Sequence, residues 1–173
     1  MSEELSAQAP LRELERLDKT HVFGTWSFQS EVQPTEIERT DGNRVYLADG
    51  TDLLDFSGQL MCSNLGHSAD RVADAIAEQA QDAAYVSPAY TTEARARLGE
   101  QLADVTPGDL TKTFFSTSGT EAVEAAIKIA KFYTGKDKIV SRYRSYHGAT
   151  YGSISVTGDP RRLAAEPGIP GAI

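Results

Sequence analysis

The chain has 173 residues, 40% of them hydrophobic and 24% charged, the balance of a globular protein able to build a core. Its 17 basic residues against 25 acidic ones leave a net charge of −8, which argues against the basic footprint that nucleic-acid binding needs. A single cysteine, Cys62, excludes an intrachain disulfide and a metal site built from cysteines.

Met1 to Pro10 is polar and acidic with no apolar run of the signal-peptide kind, and no window is long enough to span a membrane. A cytoplasmic protein without a membrane partner is expected. Residues 1–9 read as unstructured. Leu11, Leu14 and Leu17 then recur at three-residue spacing, predicting a short amphipathic helix that completes a first segment, 1–20. His21 to Phe28 is dense in aromatics; it reads as a strap packed on the body, or, more sharply, as a segment in which Phe23 or Trp26 lines a pocket. From Ile37 to Phe56 the turn sequences Asp41-Gly42-Asn43 and Ala48-Asp49-Gly50-Thr51 flank Arg44 to Leu47, predicting an antiparallel meander. Ser57 to His67 reads as a polar, glycine-containing loop. The meander and this loop belong to a second segment, 21–68.

Ala69 to Ala84 carries Val72, Ala73, Ile76, Ala77 and Ala80 on one helical face. Tyr85 to Tyr90 interrupts, Thr91 or Thr92 caps a second helix to Val105, and Pro107-Gly108 ends it. Thr113 to Phe115 reads as a short strand, followed by a polar loop and a helix through Tyr133. That helix is apolar almost all round, which predicts burial against a sheet, and Gly135 stops it. Lys138 to Ser141 reads as a second strand, so strand–helix–strand predicts a parallel unit. Tyr146-His147-Gly148-Ala149-Thr150 follows at its exit, where ligands of parallel sheets gather. Glu166 to Ile173 reads as loop. One such unit is not a finished sheet, so residues 69–173 are expected to begin a larger domain of a longer protein.

The loop before the long helix is the chemical focus. A helix N-terminus presents unpaired N–H groups and the positive end of a dipole. Ser118 and Thr120 add hydroxyls there, with Gly119 between them, a geometry suited to an oxyanion such as phosphate. Neither the Walker A pattern nor the dinucleotide Gly-x-Gly-x-x-Gly is present, which disfavours a nucleotide. Glu121, in the first turn, is expected to point away from a dianion. Tyr146 can stack on a planar heteroaromatic group. A phosphate, a planar ring and an aromatic lid suggest pyridoxal phosphate; a phosphosugar- or nucleotide-binding domain shares the helix N-terminus but lacks a recognisable base-reading element.

Phe115 to Lys131, Thr134-Gly135-Lys136 and Tyr146 to Thr150 together resemble the class III pyridoxal-phosphate aminotransferases. Gly50 to Phe56, Asn64-Leu65-Gly66-His67, Gln79 and Pro88-x-Tyr90-x-Thr92-Glu93 extend the resemblance in the family's order and spacing, from about Gln33 to Arg161. It implies an α/β fold: the N-terminal part of a fold-type I transferase dependent on pyridoxal 5'-phosphate, with a small α+β segment and the start of a large, mainly parallel α/β/α domain. Ser118, Gly119 and Thr120 would hold the cofactor phosphate, Tyr146 would stack on its ring, and His147 would support it. Trp26 and Met61 would line the substrate pocket, with Cys62 in its wall and no metal involved. Tyr85 to Tyr90 resembles a loop that crosses a dimer interface, implying a homodimer or higher assembly.

The family's Schiff-base lysine and the aspartate that pairs with the pyridine nitrogen have no matching motif in this chain. Lys112, Lys128, Lys131, Lys136 and Lys138 occupy ordinary positions, so no catalytic residue is assigned and these 173 residues alone are expected to be inactive. The implied activity of the whole protein is ping-pong transfer of an amino group from an amine or omega-amino acid to a keto acid of the pyruvate or 2-oxoglutarate class. An aminomutase of the glutamate-semialdehyde type shares this front half and is the alternative. A non-catalytic fragment that binds only the cofactor phosphate is another.

Overall fold

The computed structural model describes residues 12–168. The expectations for residues 1–9, for Leu11 and for the tail beyond Gly168 lie outside the described residues. The chain divides after Ser87 into two compact units.

In the first unit, helix α1 (Glu13–His21) places Glu13 and Glu15 in its first turn and Lys19 and His21 in its last, matching the helix dipole at both ends. Glu15 accepts the Arg12 N–H at 2.9 Å and the Glu36 N–H at 3.3 Å, so one carboxylate caps the helix and pins the approach to the sheet. The expected meander is present as β1 (Ile37–Asp41), β2 (Arg44–Leu47) and β3 (Asp52–Leu54), antiparallel in that order. Gly42 turns the first hairpin at φ +55°, and Asp49 accepts the Thr51 N–H at 2.8 Å to shape the second. Val45 is its buried residue. Across the strands, Arg39 lies 3.5 Å over the Tyr46 ring and Arg44 pairs with Asp52 at 2.9 Å.

The stretch after β3 corrects the loop expectation. Within it, α2 (Gly58–Met61) is a single turn wound left-handed: φ is +57° at Gly58, +49° at Gln59, +57° at Leu60 and +66° at Met61. Each non-glycine residue in this region costs about 1–2 kcal/mol, so outside contacts must hold it. Asp55 supplies them. Its carboxylate accepts the Gln59 N–H at 3.2 Å and the Ser57 hydroxyl at 3.3 Å, and its other oxygen meets His67 Nε2 at 2.9 Å. His67 is fixed in turn by its N–H on Gly42 O at 2.6 Å.

Desolvation pushes the Asp55 carboxyl up, but the bonds from His67, Gln59 and Ser57 outweigh it and hold the group at about 2. The unfolded chain therefore binds this proton first, and the stabilisation it gives is complete above the ordinary aspartate value of about 3.9. It disappears as pH falls from about 4 through about 2. Denaturation midpoints measured across that range should show a wild-type stability loss that Asp55→Asn partly lacks; parallel pH profiles would refute the stabilising role of the Asp55 carboxylate. The amphipathic helix expected next is α3 (Asp70–Ala83), whose Val72 and Ile76 remain exposed.

The second unit begins with α4 (Glu93–Val105), placed as the pattern predicts, although the Thr92 hydroxyl makes no capping bond. Its long helix is α5 (Gly119–Thr134), ended by Gly135 at φ +66° with the Gly135 N–H on Lys131 O at 2.9 Å. Short helix α6 (Tyr151–Ser155) and a 3-10 turn (Pro160–Ala165) complete the unit. The expected strands at Thr113–Phe115 and Lys138–Ser141 form no ladder among the described residues; only Ile139 makes a bridge. A strand is defined by its neighbour, and among the described residues these extended segments find no continuous one. For the same reason α5 is not buried as expected, and Phe132 and Tyr133 remain largely exposed. The buried part is the run Gly152–Thr157, with Ile154 and Val156 beside fully buried Ser153 and Thr157.

Candidate functional site

Ser118 is the N-cap of α5, extended at φ −157°, ψ 162°, and its hydroxyl accepts the Glu121 N–H at 3.3 Å. The Ala122 N–H bonds Ser118 O at 3.0 Å. Two of the four first-turn donors are thereby satisfied. The N–H groups of Gly119 and Thr120 have no partner among the described residues. Glu121 folds back, accepting the N–H and hydroxyl of Thr117 at 2.7 and 2.5 Å, and those bonds hold its carboxyl below the usual range. The acid thus turns back toward Thr117 while two N–H donors at the positive end of a 16-residue helix stay open.

The two polar motifs meet through Gly148. Its φ is +132°, and a Cβ there would overlap the Thr120 and Ser153 hydroxyls. Thr120 Oγ1 lies 2.6 Å from Ser153 Oγ and 3.0 Å from Thr150 Oγ1. Beneath them, Glu124 accepts the Thr150 hydroxyl and the Ser153 N–H, the latter at 3.0 Å. The bond from Thr150 is the main reason its carboxyl lies below the usual range. A carboxylate can only accept, so the Thr150 proton is committed to Glu124. The Thr120 hydroxyl is therefore drawn into a junction between α5 and α6, while its backbone N–H remains open.

Tyr146 and His147 diverge. The His147 N–H donates to Thr157 Oγ1 at 3.0 Å, and His147 lines an apolar cavity of ≈ 450 Å³ with Val123, Ile127 and Val156. Tyr146 keeps 44% of its surface exposed and carries the Arg161 guanidinium 4.2 Å from its ring centroid. Trp26 and Met61 belong to the first unit and are exposed, Met61 on the left-handed turn.

The sequence profile of the aminotransferase class-III family matches residues 27–171. The chain belongs to the class III aminotransferases. It is 37% identical over 166 residues to aminotransferase PigE of a Serratia species, covering 88% of this chain and 18% of that protein. It is 38% identical over 141 residues to acetylornithine aminotransferase of Listeria innocua, covering 82% and 35%. Among solved structures, taurine:2-oxoglutarate aminotransferase from Bifidobacterium kashiwanohense, in complex with PLP and glutamate, superposes with a TM-score of 0.88 at 38% identity, covering 95% of this chain and 38% of that one. The omega transaminase from Pseudomonas jessenii in complex with PMP gives a TM-score of 0.88 at 26% identity, covering 94% and 38%. The chain thus spans about two fifths or less of these relatives. Its fold is the N-terminal part of a fold-type I transaminase, of the α/β class.

Three sets of residues around these motifs were not singled out as functional in the sequence. Glu124 looked like one more charge on a helix; Gly152 and Ser153 carried no pattern. Asp159-Pro160 did carry a helix-start signal, an acceptor before a proline, and it leads directly to Arg161. No helix among the described residues is long and apolar enough to cross a membrane.

Proposed function

We propose that the protein carrying this chain is an aminotransferase dependent on pyridoxal 5'-phosphate, and that the start of α5 grips the cofactor phosphate. The observation that carries this is the pair of unpartnered N–H groups on Gly119 and Thr120 beside the Tyr146-His147-Gly148 loop. Their donors and the helix dipole suit a phosphate dianion, and the Ser118 hydroxyl lies at the same edge. The Thr120 hydroxyl, tied to Thr150 and Ser153, contributes by fixing that edge. Tyr146 offers a ring face for stacking, and His147 supports the loop from the apolar side of α5. Trp26 and Met61 act at the substrate pocket.

The cofactor, when bound, supplies the aldehyde that receives the amine and the ring that withdraws electrons. These residues bind it at one end and set the plane of its ring. The donor is an amine or omega-amino acid, the acceptor a keto acid of the pyruvate or 2-oxoglutarate class, and the protein a homodimer or larger assembly acting in the cytoplasm.

Purified full-length protein should show the visible absorbance of the bound cofactor. An amine donor should bleach that absorbance, and a keto acid should restore it. The Ser118→Ala, Thr120→Ala double variant should retain less cofactor after dialysis. Unchanged retention would remove the phosphate assignment, and a preparation that never takes up the cofactor would remove the function.

A further inference from the structure

We propose that Arg161 is a positioning residue that fixes the Tyr146 ring in the plane from which it stacks; this rests on Tyr146 being the stacking residue. The guanidinium carbon lies 4.2 Å from the ring centroid, at cation–π distance. It is not a loose surface contact, because Asp159 grips it twice. Asp159 Oδ1 takes Arg161 Nε–H at 2.7 Å, and Oδ2 takes Nη2–H at 3.1 Å, the two-pronged geometry that fixes a guanidinium plane. The same Oδ1 accepts the Arg161 backbone N–H at 3.0 Å, capping the 3-10 turn that carries the arginine. Arg161, in turn, is the main reason the Asp159 carboxyl sits at about 2, so the pair stays ionised throughout the neutral range.

The turn is anchored to the loop that bears Tyr146. Gly158 donates to Ser145 O at 2.8 Å, and Arg144 donates to Gly158 O at 2.9 Å. Gly158 also lies so close to the Arg142 carbonyl that a Cβ could not be accommodated. The residue before Asp159 and the residue before Tyr146 are therefore hydrogen-bonded to each other, and guanidinium and ring share one corner. Only a planar cation can lie flat on a ring while using its edge to pair with a carboxylate. A lysine has the charge without the plane. Because Asp159 neutralises the charge locally, the effect on a bound cofactor is one of ring orientation rather than long-range attraction.

The test uses the full-length protein. Cofactor affinity is measured by titrating the apo form, the visible circular dichroism of the bound cofactor reports the asymmetry of its ring environment, and near-ultraviolet circular dichroism of the apo form reports the tyrosine environment. Arg161→Gln should weaken cofactor binding about two- to fivefold, the scale of an exposed cation–π contact. It should also reduce both dichroism signals while leaving the oligomer and Tm essentially intact. Arg161→Lys should behave like the glutamine variant. In a Tyr146→Ala background, already weaker, Arg161→Gln should have no further effect. If Tyr146→Ala weakens binding while Arg161→Gln changes neither affinity nor dichroism, the positioning role is wrong and the stacking reading stands. Full rescue by lysine would also overturn it, since charge alone would then suffice. If Tyr146→Ala itself binds cofactor normally, the stacking reading fails, and the positioning role with it.

Discussion

Gly152→Ala is expected to destabilise the second unit by about 1–3 kcal/mol, the cost of forcing extra volume into a packed site. Gly152 is buried, and a Cβ built on it would overlap the Glu124 carboxylate. Glu124 cannot withdraw freely, because it accepts the Thr150 hydroxyl and the Ser153 N–H. Displacing it strands the buried Ser153 N–H, and a buried group left unpaired costs free energy on the same scale. A double-mutant comparison separates crowding from simple loss of a glycine. In a Glu124→Ala background the space opens, so Gly152→Ala should cost clearly less than in the wild type. Denaturant midpoints of the four proteins measure this, and strict additivity would show that the glycine is not required by Glu124. Because the same network draws in the Thr120 hydroxyl, the destabilised variants should also lose cofactor more readily.

What could be read from the sequence follows from how local each cause is. The meander was legible because Gly42 and Asp49 shape their hairpins with their own backbone and side chain. Helices α3, α4 and α5 were legible because a 3.6-residue stripe and a terminal Gly135 are local signals. The left-handed turn at Gly58–Met61 was not. Gln59, Leu60 and Met61 have no preference for it, and it depends on Asp55 and, behind it, His67, which acts through the fold rather than through spacing. Likewise α6 was missed, since Tyr151-Gly152-Ser153-Ile154-Ser155 has neither a stripe nor a strong cap. Its hydroxyls are buried because they bond carbonyls one turn back: Ser155 Oγ to Tyr151 O at 2.5 Å, and Thr157 Oγ1 to Ser153 O at 2.9 Å. The expected strands around α5 illustrate the opposite limit. The residues have strand composition, but a ladder needs a second chain segment beside them.

The phosphate grip itself can be tested without disturbing the helix, because Gly119 is the first residue of α5. Proline is well tolerated at that position: its fixed φ suits the helix, and the N–H it lacks is one that the helix does not use. It demands only that the preceding residue be extended, and Ser118 already is, at φ −157°, ψ 162°. Gly119→Pro should therefore fold normally yet delete one of the two open N–H donors proposed to face the phosphate. A hydrogen bond to a charged group contributes about 1.5–3 kcal/mol, so cofactor affinity should fall by about 10- to 150-fold. Gly119→Ala is the control. It keeps the N–H, and a Cβ there meets nothing within 4 Å, so its affinity should stay close to that of the wild type. Titration of the apo proteins, with far-ultraviolet circular dichroism to confirm the helix, gives the comparison. If proline and alanine bind the cofactor equally well, the phosphate does not sit on the Gly119 N–H, and the grip must lie with the Ser118 hydroxyl, the Thr120 N–H or another part of the protein.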